Sequence, residues 1–144
     1  MAEHNQLGAK GEETATEFLT ANGHTILARN YKHGKCEIDI ISSDDNFTVF
    51  TEVKTRSTDY FGYPEEAVDR KKRKKIRRAA EEYMFENNLD TNIRFDIVSI
   101  TNINGKLKVY HIKDAFFNEM EDANDLWFMI YEWIHVVILI WVYS

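Results

Sequence analysis

The chain has 144 residues, 44% of them hydrophobic and 13% aromatic, which leaves room for one domain with one modest core and makes disorder a poor default. Its single cysteine, Cys36, excludes an internal disulfide and a cysteine-based zinc site, and suits a reducing compartment. The net charge of −6 argues at first against a nucleic-acid partner, but residues 118–144 carry Glu119, Glu121, Asp122, Asp125 and Glu132 with no lysine or arginine, so the rest of the chain sums to about −1.

Met1 to Lys10 is polar, without a basic and apolar leader, and a cytoplasmic location is expected. From about Asn5 to Asn22 the spacing of Gly8, Gly11, Glu12, Ala15 and Leu19 traces one face of a helix, with Gly23 as its stop. A glycine inside a helix costs about 1 kcal/mol relative to alanine, so the two suggest close approach to a sheet. Glu12 lies on that small-residue face. It is either an extra acidic member of a site or a solvated charge favoured by the helix dipole. Thr25 to Tyr31 then reads as a strand, with Lys32 to Lys35 as the turn that follows.

The strongest local signal is Cys36 to Arg56, two β-branched and aromatic runs flanking Asp44-Asp45-Asn46. If Asp45-Asn46 is a two-residue turn, residues whose numbers sum to 91 face one another, setting Asp39 against Glu52 and Glu37 against Lys54. Alternation then places those four ionisable groups on one patch and sends Ile38, Ile40, Val49 and Val53 to the other face, beneath a helix. Several carboxylates on one patch repel unless a cation joins them. Mg²⁺, or Mn²⁺ in its place, prefers one or two carboxylates plus substrate phosphate, so Asp39 and Glu52 are the expected ligands, with the Val53 carbonyl completing the shell. Lys54, two residues after Glu52, is placed to orient a water or neutralise charge developing on phosphorus. The competing reading is an exposed ion-pair cluster, in which Glu37 simply pairs with Lys54.

Thr55 to Tyr63 is a polar loop. Arg56 continues the Glu52 and Lys54 face towards a phosphate, or else makes a structural ion pair. Pro64 suits the start of a short helical turn, and Asp69 can cap the helix that follows. That helix carries Arg70 to Arg78, eight cations among nine residues, with Ile76, Ala79, Ala80, Tyr83 and Met84 as its buried stripe. Such a run is relieved by a polyanion, so Lys71, Lys74, Lys75, Arg77 and Arg78 are expected to contact nucleic-acid phosphates without reading sequence. Ile93 to Thr101 and Lys106 to Lys113 read as strands joined by an Asn104-Gly105 turn, and Asp96 is expected to pair with Arg94. Beyond an acidic linker, 118–125, the segment 126–144 is apolar except for Glu132 and His135. Its readings are a helix packed on the domain, a homodimer-forming segment, a membrane-seeking helix, or a non-native extension.

Asp39 followed by Glu52-Val53-Lys54 resembles the PD-(D/E)XK nuclease signature. With Gly8-Ala9-Lys10-Gly11-Glu12, Arg29-Asn30-Tyr31, Glu37-Ile38-Asp39-Ile40-Ile41, Arg94-Phe95-Asp96 and Asp114-Ala115-Phe116, the chain is similar to the YraN-like family of uncharacterised, predicted endonucleases over Leu7 to about Phe117. The resemblance departs at Cys36, where the family commonly has glycine. It implies a restriction-endonuclease-like α/β (α+β) mixed sheet in the order helix, three strands, helix, two strands, forming a nuclease domain over 1–117. It also implies a glutamate at Glu12 near the site, and a DNA substrate of linear or branched form. A nucleic-acid-binding module without turnover, and an interaction protein acting through its apolar tail, are the alternatives.

Overall fold

The computed structural model describes residues 2–56 and 68–115. Helix α1 (Ala2–Ala21), strands β1 (Thr25–His33), β2 (Cys36–Asp44) and β3 (Phe47–Arg56), helix α2 (Arg70–Glu86), and strands β4 (Asn92–Ile103) and β5 (Lys106–Ile112) follow in the expected order. The five strands form one sheet, ordered as in the chain, antiparallel except for the parallel pair β3 and β4. Parallel neighbours need a long crossover, and α2 lies within it. The result is an α+β protein with α1 on one face of a mixed sheet and α2 on the other. The linker 118–125, the segment 126–144, Pro64 and most of the preceding polar loop lie outside the described residues. No described helix is long and apolar enough to cross a membrane.

Each helix is held by the stripe that its sequence presents. Ala15 and Leu19 of α1 are buried with Ile40, Val98 and Ile100. One turn earlier Gly11 meets β3 so closely that a Cβ built on it would land on Thr55 Oγ1, whereas Gly8 has open space. The close approach is therefore a property of Gly11 alone. The helix ends in a Schellman turn, with Gly23 at φ 91° and the His24 amide donating to the Leu19 carbonyl at 3.0 Å. In α2 the Asp69 carboxylate accepts from the Lys72 amide at 2.8 Å, and Ile76, Ala79, Ala80, Tyr83 and Met84 are buried, as their spacing requires.

The hairpin register is the expected one from Asp44↔Phe47 to Ile40↔Thr51, with Asp45 in the left-handed region at φ 50°. Two expectations fail beyond that point. Ile38 does not share a face with Ile40 and Val53: it packs in the cluster under α2, while they pack under α1. The cause lies in the neighbouring strand. Ala28↔Ile41 and Tyr31↔Ile38 both belong to the α2 side although each pair of positions is three residues apart, so alternation slips by one on both strands, next to Asn30 at φ 52°. Glu37 also fails to meet Lys54. It pairs instead with Lys32 across β1, at 3.6 Å, and Lys54 turns to Glu52.

Candidate active site

The slip in β2 builds the site. Paired residues run only as far as Ile40↔Thr51, and beyond that point the Val53 amide, which an intact ladder would use, donates to Asp39 Oδ2 at 2.7 Å. A strand residue directs its N–H and C=O to the same side, so the Val53 carbonyl also faces β2. On β3, Glu52 projects towards α2 and is 7% exposed. Its Oε1 accepts from Lys54 Nζ at 3.1 Å and from Lys72 Nζ in a close ion pair. A cleft of about 620 Å³ opens over this corner, lined by Glu12 from α1, Lys35 to Glu37 and Asp39 from the β1–β2 end, Glu52, and Asp69, Lys71, Lys72 and Lys75 from the start of α2.

Burial pushes the Asp39 carboxyl up to about 7, helped by the negative charges of Glu52 and Glu12 and only partly offset by the Val53 amide and Lys72. Asp39 is thus a carboxylate short of positive charge. Lys72 differs: burial alone would lower its pKa, but the hydrogen bond and charge of Glu52 outweigh that and raise it.

The profile of the uncharacterised protein family UPF0102 matches residues 11–100, a stretch that contains Glu12, Asp39, Glu52, Lys54 and Lys72. UPF0102 proteins of Bacteroides thetaiotaomicron and Christiangramia forsetii are each 45% identical over 117 residues, covering 81% of this chain and 97% and 98% of theirs. One from Alkaliphilus oremlandii is 41% identical over 116 residues, covering 78% of this chain and 99% of its own length. The chain belongs to the UPF0102 family.

In this family member the expected residues divide into three groups. Glu12, Asp39, Glu52, Lys71 and Lys75 come together around the cleft, Lys54 touches Glu52, and the Val53 backbone faces Asp39. Arg56 ends β3 beside Thr101 and does not line the cleft, nor do Lys74, Arg77 and Arg78 farther along α2. Sequence reasoning missed Lys35, Cys36, Asp69 and above all Lys72 as cleft residues. A signal for Lys72 existed. It lies four residues before Ile76, on the inward stripe of α2, the one lysine of that run in line with the core.

Among the described residues no three His, Cys, Asp or Glu side chains converge as a ready metal cluster. The donor set nevertheless fits a hard divalent cation, which is usually held by one or two carboxylates and completes its shell with waters and substrate oxygens. Asp39 and Glu52 are the carboxylates that could serve, and a cation there would relieve the raised carboxyl of Asp39.

A second charged cluster lies on the α1 face of the sheet. Arg94 donates to both oxygens of Asp96 at 2.9 Å, and the pair expected from sequence is only its centre. Arg94 also reaches Asp44 at 2.8 Å, His111 Nε2 is 2.7 Å from Asp96, and the Asp114 amide donates to Asp96 at 3.0 Å. These partners hold Asp96 below the usual carboxylate range despite burial that would raise it, and Arg94 holds Asp44 down in the same way. Asp96 lies beside Thr51 in the parallel ladder, one residue from Glu52. The network thereby ties β4 to the end of β2 through Asp44 and to β5 through His111.

Proposed function

We propose that the chain is a metal-dependent nuclease that hydrolyses phosphodiester bonds of nucleic acid, DNA in the first instance. The observation that carries this is Asp39, half-buried, pushed up to about 7 and lining one cleft with Glu52 just past the point where β2 and β3 part. Asp39 and Glu52 would hold Mg²⁺ or Mn²⁺, with the Val53 carbonyl directed to the same place. The bound ion would offset charge on the scissile phosphate. Lys54, steadied by Glu52, orients the attacking water and opposes the negative charge that grows on the phosphate oxygens. Glu12 adds acidity at the α1 wall. Lys35, Lys71 and Lys75 rim the cleft and suit backbone phosphates, and Lys74, Arg77, Arg78 and Arg56 extend the basic surface without a means of reading bases. The order of helices and strands, which the resemblance ties to restriction-endonuclease-like proteins, supports the same reading.

The test is a panel of linear and branched DNA and of RNA, with Mg²⁺ or Mn²⁺ and with chelator. Metal-dependent cleavage, lost in Asp39→Ala and in Lys54→Ala, is expected; cleavage that survives both substitutions removes these residues from the mechanism. One observation favours a second reading, a nucleic-acid-binding module without turnover: Glu52 already has two ammonium partners and needs no metal to be satisfied. That module would bind in a salt-sensitive way and cleave in no metal.

A further inference from the structure

We propose that Lys72 is the resident counter-cation of the candidate metal site, and that it leaves Glu52 for a substrate phosphate when a divalent cation enters. This rests on the nuclease reading above. Two ammonium groups, those of Lys54 and Lys72, share the single oxygen Oε1 of a buried glutamate. Glu52 is therefore fully satisfied without metal. Adding a divalent cation leaves a surplus of positive charge, and one ammonium has to withdraw.

Geometry selects Lys72 as the one that moves. Lys54 shares its strand and sheet face with Glu52 and keeps 28% of its side chain exposed, whereas Lys72 reaches in from α2, is 38% exposed along its side chain, and lines the open cleft. The Lys72 amide is fixed by Asp69, so the motion is confined to a flexible four-carbon stem. The start of α2 gives a second and independent indication. Beyond the Asp69 cap its first turn contains no acidic residue and several cations, which the positive end of a helix dipole disfavours. Lys71 and Lys75 line the cleft beside Lys72. A phosphate placed there meets three lysines, and takes up the charge that Glu52 gives over to the metal.

The test is isothermal titration of Mn²⁺ into the full chain at pH 8, comparing wild type with Lys72→Met, which keeps the stem without the charge, and Lys72→Arg, which keeps the charge. Lys72→Met is expected to bind Mn²⁺ about tenfold more tightly than wild type, and Lys72→Arg to stay within a few-fold of it. In the presence of Mn²⁺ the same Lys72→Met protein should bind DNA more weakly, with a salt dependence shallower by about one phosphate contact. A purely structural lysine would give neither change. Mn²⁺ affinity that is unchanged or weaker in Lys72→Met, with cleavage retained by wild type, overturns the role of Lys72 and leaves the nuclease reading standing. Absence of Mn²⁺ binding by wild type and Lys72→Met alike overturns both.

Discussion

Replacing Asp39 by asparagine should make the protein more stable at alkaline pH while removing its metal response. The carboxyl is raised from 3.8 to about 7, so the native state holds that proton more tightly than the unfolded chain between those values. Stability therefore falls as pH rises through this window and levels off above it. At roughly 1.4 kcal/mol per unit, a shift of about three units sets a ceiling of about 4 kcal/mol, and water reaching a half-buried group reduces the expected figure to about 1–3 kcal/mol. Asparagine keeps an oxygen for the Val53 amide and lacks the charge. His24 runs the other way, its pKa lowered first by burial, so that it stabilises as pH rises towards 6.5. It is common to both proteins and cancels in their difference. Urea denaturation near pH 4 and at pH 8 measures that difference, which should be small at the lower pH and favour Asp39→Asn at the higher. Adding Mn²⁺ at ten times its Kd should restore about 1.4 kcal/mol to wild type at pH 8 and nothing to the variant. A variant with the same pH slope as wild type, or one less stable at pH 8, would refute the electrostatic account.

Gly11→Ala should lower stability by about 1–3 kcal/mol, because the new methyl collides with Thr55 and α1 must lift from β3; Thr55→Ala in the same chain should return part of the loss, read as a partial recovery of Tm. Arg94→Ala leaves Asp44 and the 1% exposed Asp96 without their guanidinium, and a loss of about 3–5 kcal/mol is expected in equilibrium unfolding at pH 7. That loss should shrink as pH falls below about 4, where the unfolded chain takes up protons first and the native carboxylates, held lower, follow. Neutralising Lys71 and Lys75 together should flatten the salt dependence of DNA binding by about two contacts while leaving the unfolding free energy within about 1 kcal/mol of wild type, since both side chains are exposed.

Much of the frame is legible along the chain because it follows from local periodicity. The alternation of Phe47 to Arg56, the left-handed turn at Asp45, the glycine stop at Gly23, the Asp69 cap and the inward stripe from Ile76 to Met84 each depend on neighbours within a few residues. Pairing by a tight turn likewise brings Asp39 towards Glu52 without knowledge of anything distant. The limits of that reasoning fall at Ile38 and Glu37. Their orientation is set by a slip shared with β1, and a left-handed Asn30 in one strand gives no periodic trace in the other.

What the sequence by itself determined is the order of elements, the α+β class, and the placing of Glu52 and Lys54 on one strand face, since each is encoded by spacing within one helix or one strand. Tertiary structure alone decided how the site is charged. Lys72 meets Glu52 from a helix twenty residues away, Asp39 is raised by burial beside Glu52 and Glu12, and Asp96 gathers partners from β4, β5 and the turn after β5. Desolvation and the distance between charges are properties of the packed molecule, so no pattern read along one segment can supply them.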